Sequence, residues 1–406
     1  MNTAWFITRK IALSRQPNFS RFIIRVAVAA IALSMSVMII AGSMVSGFQK
    51  EISEKIFGFW GHVRIYDYNS TMGYQDKAVS IHQKFYPSIE QMPGVKHIQV
   101  YVNKPGIIKT KNDIESIVVR GYGKDFNSTY LKEWMQSGKY FRAGDTSHPR
   151  KILISQSTAN RLNLKVGDDV PIYFIQEPPR VRKFRIEGIY KTGLEEYDKM
   201  YALCDIADLQ DLNDWSADSV SGFEVFLDDV KNITPMGKKI NEEFVGQNLV
   251  AQTLKEINPN IFDWLELQDI NEYVILILMT VVAIINMVTA LLILILERTN
   301  MIGVLKAQGA GNVLVRKIFI YHAAIIILQG LVIGNGVGLG LCYLQAKTGM
   351  IRLPEESYYV SVAPVHFDFT YIAALNIGVL VICLVVMLVP SYLVAKISPV
   401  KAIRFR

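Results

Sequence analysis

Six histidines and three cysteines are the side chains of this chain most able to hold a metal or act as a nucleophile, and their spacing suits neither task. His62, His82, His97, His148, His322 and His366 are scattered, and neither H-E-x-x-H nor C-x-x-C occurs. No G-x-S-x-G turn presents a serine. Gly121-Tyr122-Gly123-Lys124 comes nearest to a phosphate loop, but it lacks the spacing and the Ser/Thr of G-x-x-x-x-G-K-S/T. No catalytic residue, metal or cofactor is therefore expected on the chain itself. The segment whose residue types suit work on a partner is Glu297-Arg298-Thr299-Asn300-Met301-Ile302-Gly303-Val304-Leu305-Lys306-Ala307-Gln308-Gly309-Ala310. Ile302, Leu305 and Gly309 would form one apolar face, with Lys306 pointing elsewhere. A short helix of that kind docks in a groove of a soluble protein or rests on lipid.

What must position this segment is a set of apolar blocks. No charge occurs from Val26 to Val45, Tyr273 to Leu296, Ile318 to Ala346 or Phe369 to Ala395. Each block has about 20 residues or more, enough to cross about 30 Å of hydrocarbon. The 406-residue chain is 51% hydrophobic with a mean hydropathy of +0.24, a total that soluble domains approach. Concentration into four blocks is what argues for four spans. A cleaved leader is the rival reading of the first block, but that stretch is too long and no A-x-A-like site follows it. Carriage coupled to protons or ions is disfavoured, because no ionisable residue lies mid-span and only His322 sits near an inner edge.

The net charge of +7 is unevenly spread. The first 25 residues hold five basic and no acidic residues, the segment 297–317 four basic and one acidic, and the tail from Lys396 four basic and none acidic. The long segment 46–272 and the loop 347–368 are net acidic. That pattern places both termini and the 297–317 segment in the cytoplasm and the large domain outside, and it removes the case for nucleic acid. The expected fold is an α-helical membrane protein with four transmembrane helices and a large α+β extracytoplasmic domain inserted between helices 1 and 2. Its predicted order is a cytoplasmic interfacial helix (1–21), a first span (22–47), the outer domain (48–271), a second span (272–296), a cytoplasmic coupling segment (297–315), a third span (316–346), a short outer loop (347–368), a fourth span (369–395) and a cytoplasmic tail (396–406).

Phe48, Ile52 and Ile56 continue the helical pattern beyond the first span, and Phe262, Leu265, Leu267 and Ile270 lead into the second, so two helical stalks are expected. In the outer domain, strands are expected at 61–66, 114–120, 151–155, 171–175, 181–190 and 223–227. Helices are expected over 81–89, over 156–162 with Ser155 as N-cap, and in one or two pieces over 231–257. Two subdomains are expected, 81–140 and 150–200. Cys204 alone lies in this domain, so no disulfide can form within it. Gly330, Gly334 and Gly338 recur at the spacing of close helix packing.

Four stretches resemble the FtsX/MacB-type permeases, and among them the LolC/LolE permeases. They are Ser43–Glu51 at the end of the first span, Lys151–Ser155 with Leu162–Asp168, Gly188–Asp198, and Glu297–Ala310. The resemblance covers nearly the whole chain and implies a MacB-like periplasmic core. It also implies a non-catalytic subunit in the bacterial inner membrane that extracts lipoproteins from the outer leaflet. ATP and Mg would be bound by a LolD-like cytoplasmic ATPase, and other implied partners are a second permease copy or paralogue, membrane lipid and a LolA-like periplasmic carrier. On this reading Glu297, Arg298, Ile302, Gly303, Leu305, Lys306 and Gly309 couple to the ATPase. Met38, Met44, Val45, Gly47 and Phe48 form the substrate wall and stalk of the first span. Pro178, Pro179, Arg180 and Arg182 form a carrier-facing hairpin. Met301 stands where the family has an acidic residue, and the turn Gln176–Arg180 is shorter than the hairpin tip of some LolC-type members. An FtsX-like regulator of cell-wall hydrolases and a MacB-like efflux permease are the alternatives; a domain of about 225 residues and the lack of a fused ATPase argue against them in turn.

Overall fold

The computed structural model describes residues 4, 6, 8, 19–70, 76–110, 113–144, 150–246 and 248–393. The predicted tail 396–406 lies outside them, as does the interfacial helix 1–21 apart from a few residues. The helices in chain order are α1 (Phe19–Trp60), α2 (Thr129–Trp134), α3 (Gln156–Leu162), α4 (Glu195–Met200), α5 (Ile206–Leu212), α6 (Ile233–Glu243), α7 (Leu254–Ile257), α8 (Pro259–Glu297), α9 (Thr299–Ala307), α10 (Asn312–Thr348), α11 (Glu355–Tyr358), α12 (Phe369–Val386) and α13 (Leu388–Leu393). The strands are β1 (Val63–Asp67), β2 (Val79–Ser80), β3 (Val95–Lys109), β4 (Ile114–Tyr122), β5 (Met135–Gly138), β6 (Lys151–Ser155), β7 (Asp169–Phe174), β8 (Arg180–Tyr190), β9 (Tyr201–Asp205), β10 (Ser219–Val220), β11 (Gly222–Leu227) and β12 (Leu249–Thr253). Two compact units result, one of Met1–Gln49, Leu265–Ile351 and Val362–Arg406, the other of Lys50–Trp264 with Arg352–Ser361.

The first unit is helical. Among the described residues, four helical stretches are long and apolar enough to cross a membrane: Phe22–Trp60, Pro259–Glu297, Asn312–Thr348 and Phe369–Tyr392. Ile31, Met35 and Ile39 of α1 pack with Leu291 of α8, Phe319 and Ile327 of α10 and Cys383 of α12. The glycine stripe is what brings α10 onto α1. A Cβ at Gly334 would stand 2.7 Å from Met35 Cβ and 2.8 Å from Ala32 O, and one at Gly330 would stand 2.6 Å from Ile31. Ser36 Oγ reaches Gly334 O at 3.0 Å. Asn335 and Asn376 exchange amide hydrogen bonds of 2.7 and 3.0 Å, joining α10 to α12 where few other polar partners exist. The fourth span breaks at Met387, because Pro390 lacks the N–H that residue 386 would receive.

The second unit is built on one ten-stranded mixed sheet in the order β12-β1-β11-β3-β4-β9-β6-β8-β5, with β7 pairing β3 and β8. A single sheet therefore runs through both regions expected to be separate subdomains. Its central strand β11 is buried at every position, whereas β7 alternates, with Val170, Ile172 and Phe174 inward. Residues 231–257 hold the strand β12 between α6 and α7, not helices alone. The helix expected over 81–89 is absent. Pro87 restricts Tyr86 and offers no donor, leaving turns and a short 3₁₀ turn at Ser88–Gln91. The predicted α3 and its Ser155 cap are present, with Ser155 Oγ accepting from Thr158 N at 3.0 Å.

Helix α1 ends where Gly61 adopts φ +72° and its N–H reaches Phe57 O at 2.8 Å. The next residue, His62, is buried, stacks on Phe57 at 4.3 Å and accepts from Leu227 N at 3.1 Å. Burial, with Lys96 nearby, lowers its pKa to about 4. The unfolded chain takes this proton below about pH 6.5, so stability is full above that pH and is lost as pH falls towards 4, by about 3 kcal/mol. Thermal unfolding of the full chain between about pH 4 and 7 should show that slope, and His62→Leu should flatten it. An unchanged slope in His62→Leu would assign the acid sensitivity elsewhere.

Candidate functional site

The coupling segment forms α9 and then a tight turn. Gly309 takes φ +91°, its N–H meets Lys306 O at 3.0 Å, and Ala310 N meets Leu305 O at 3.0 Å. The predicted apolar face is divided, with Ile302 turned inward, Leu305 half-buried and Gly309 exposed. Ile302 is 0% exposed within the four-helix core, Gly303 is buried, and Met301 packs against the same core. Leu305 and Lys306 are half-buried, as is Arg298 at the α8–α9 junction. The exposed side carries Glu297, Asn300, Val304, Ala307, Gln308 and Gly309, with Val304 50% exposed. The spacing 297-300-304-307 is itself helical. That spacing alone does not fix the facing, because apolar residues occur on both sides of so short a helix.

Helix α1 shows a similar correction. Met38 is 1% exposed and packed in the bundle, so it cannot form a wall open to acyl chains. Thr280 Oγ1 approaches its sulfur at 3.9 Å. The open stripe follows Phe22, Val26, Ala29 and Leu33, with Val37 and Met44 half-buried further along. Val45 and Phe48 are also half-buried. Gly47 is buried for a steric reason, since a Cβ there would stand 2.6 Å from Pro364 O. Gly42 likewise accommodates the ring of Tyr371.

In the sheet unit, β7 and β8 form the predicted hairpin with Pro178 and Pro179 exposed at its tip. The arginines are already paired. Arg180 forks onto Asp214 at 2.9 and 2.6 Å and donates to Leu212 O at 2.7 Å, while Arg182 lies 3.6 Å from Asp211. The free feature is apolar: Tyr173 and Val181 are register partners, and with Ile175 they are exposed on one face.

Two motif stretches meet at one knot. Ser155 Oγ donates to Asp198 O while capping α3. Asp198 accepts from Thr192 N at 3.1 Å, Thr192 Oγ1 at 2.8 Å and Gly193 N at 3.2 Å. Burial raises the Asp198 carboxyl above the usual range, and those donors pull it back in part. A cavity of 610 Å³ beside the knot is lined by Gln156, Ser157, Asn160, Lys191, Asp198 and Glu355, among others.

A second cluster had no local signal in the sequence. Glu224, 0% exposed, accepts from Arg120 and from Gln99 at 3.0 Å, with Arg64 Nε 3.9 Å away. Both guanidiniums lie over the Trp60 indole on the last turn of α1, Arg64 at 4.7 Å and Arg120 at 4.6 Å. Phe57 of α1 also meets Phe262 of α8 at 5.7 Å, so both stalk ends share this unit's core. Among the described residues, no group of His, Cys, Asp and Glu could hold a metal ion.

The chain is 24% identical to the lipoprotein-releasing system transmembrane protein LolC of Neisseria meningitidis serogroup B, over 99% of each chain. It is 21% identical to LolE of Haemophilus influenzae, also over 99% of each. The solved extracellular domain of the noncanonic ABC-type transporter YknZ from Gram-positive bacteria aligns at 14% identity and a TM-score of 0.33, covering 47% of this chain and 98% of that one. Residues 273–399 match the FtsX-like permease C-terminal family. Residues 26–243, more than half the chain, match the MacB-like periplasmic core domain, and the chain belongs to that family.

Proposed function

We propose that this chain is the permease subunit of an ABC transporter that extracts lipoproteins from the outer leaflet of a bacterial inner membrane. A separate cytoplasmic ATPase, which binds ATP and Mg, drives it, and a second permease copy or paralogue completes the membrane part. The carrying observation is similarity to LolC and LolE along the whole chain, with both family regions in order. The permease itself is non-catalytic. Positive charge near both termini and α9 favours their cytoplasmic placement. Each buried CH₂ of a lipid anchor is worth about 0.8 kcal/mol, so a multiply acylated protein needs outside work to leave. The ATPase docks on the Asn300–Val304–Ala307 side of α9. Acyl chains meet the α1 stripe through Leu33, Val37 and Met44. The apolar face Tyr173–Ile175–Val181 receives the periplasmic carrier.

The test is release of a fluorescent lipoprotein from vesicles holding the full complex to a soluble acceptor. Val304→Asp should lower ATP-dependent release by about tenfold or more while leaving the thermal stability of the isolated permease unchanged. Undiminished release would refute the docking face; an absence of release from the wild-type complex would refute the cargo.

A further inference from the structure

Residues 352–361 link α10 to α12 in the chain, yet they pack as part of the sheet unit. Among the described residues, contacts to three different elements help to hold them. Lys191 Nζ, just after β8, lies 2.5 Å from Glu355 Oε2. Lys55 Nζ, near the end of α1, donates to Tyr359 O at 3.2 Å. Trp264, in the first turns of α8, meets the Tyr359 ring edge-on at 6.1 Å. The segment closes on itself through Leu353 N and Ser361 O at 3.0 Å. Gly193, with φ +80°, leaves room for this junction, since a Cβ there would stand 2.9 Å from Lys55 Nζ and 3.3 Å from Glu355 Oε1.

The hold is polar and partly wet. The Lys191 side chain is 41% exposed and that of Glu355 is 28% exposed, so their ion pair separates easily. Tyr359 sits at φ +59° and ψ 3°, a left-handed conformation that a tyrosine keeps only while its neighbours enforce it. Pro354 and Glu355 also form one wall of the 610 Å³ cavity, facing Gln156, Ser157 and Asn160 of α3. The segment is part of the covalent link between α10, which ends at Thr348, and α12, which begins at Phe369.

We propose that residues 352–361 are a releasable strap: in each transport cycle the Lys191–Glu355 pair parts, the cavity opens, and the elements bearing Lys55, Lys191 and Trp264 are freed from one another. The cycle in question is the one proposed above, so the inference rests on that reading.

The test is the Lys191→Cys/Glu355→Cys double variant of the full chain, assembled with its ATPase in vesicles. Cys204, Cys342 and Cys383 are buried, so a short bis-methanethiosulfonate reagent joins the new pair. Lipoprotein release and ATP turnover are read together, before and after dithiothreitol. Bridging should lower both by about tenfold or more, with recovery on reduction and no such effect in either single-cysteine variant. Bridged complex that turns over ATP at the reduced rate would overturn the strap. Turnover that responds to bridging, in a complex whose wild-type form releases no lipoprotein, would uphold the strap and overturn the cargo alone. The charge swap Lys191→Glu/Glu355→Lys should restore release that Lys191→Glu alone impairs; equal impairment in both would also overturn the proposal.

Discussion

Arg120→Leu is expected to cost the sheet unit about 3–5 kcal/mol, because it strands a buried carboxylate. Arg120 and Glu224 have side chains only 1% and 0% exposed, on neighbouring parts of the sheet's centre. With Arg120 gone, Glu224 keeps Gln99 at 3.0 Å and Arg64 at 3.9 Å, too little to replace the lost hydration. Burial already raises the Glu224 carboxyl, even with both guanidiniums in place. The change also removes one of the two guanidiniums over Trp60, so the last turn of α1 loses part of its seat. The double variant Arg120→Leu/Glu224→Leu should recover part of the loss, since no carboxylate is stranded, while Arg64 loses its acidic neighbour. Thermal and urea unfolding of the three proteins decide it. A single variant within about 1 kcal/mol of wild type would mean that the ion pair is not what holds this junction.

Gly334→Val is expected to be strongly damaging to the helical unit. Its added atoms meet Ala32 O, a backbone atom that cannot swing aside, as well as Met35 Cβ at 2.7 Å. The two helices must separate, and the Ser36–Gly334 hydrogen bond is lost with them. Overpacking of this kind costs about 1–3 kcal/mol, with the upper end expected where backbone is the obstacle. Gly336 is the internal control, since a Cβ there meets nothing within 4 Å. Gly336→Ala should therefore raise stability by about 0.5–1 kcal/mol through helix propensity, while Gly334→Ala lowers it. Melting temperatures in one detergent distinguish the pair, and equal shifts of the same sign would refute close packing at Gly334.

Much of this architecture was readable before any coordinates. Charge-free blocks mark spans because charge in hydrocarbon is costly, and the four long helices fall on them. Ser155 announced α3 through its capping chemistry, and Glu177-Pro178-Pro179 announced the β7–β8 turn. The facing of α9 was not readable. Met301, Ile302, Val304, Leu305 and Ala307 leave no purely polar side, so tertiary packing chose which side turned inward. The same holds for Met38, whose neighbours along α1 are apolar all round. Nor could the sequence show Trp60, Arg64, Arg120 and Glu224 converging, because they come from elements up to 164 positions apart and share no local pattern. The strands β9 and β12 were missed because they are short and lack a clear alternation of exposed and buried residues, and the 15-residue β3 because Asn103-Lys104-Pro105-Gly106 interrupts its pattern.

The strand order also constrains how the protein is made. Strand β1 emerges first, yet its neighbours are β11 and β12, which follow about 155 and 185 residues later. Until Thr253 has been made, β1 has an open edge on both sides and its apolar residues lack a sheet. Pro259, where α8 begins, follows only six residues after Thr253. Completion of the sheet and arrival of the second span at the insertion machinery thus fall almost together during synthesis. A nascent chain stalled before Leu249 should leave this unit open to proteases and chaperones, whereas one stalled after α8 should already be resistant.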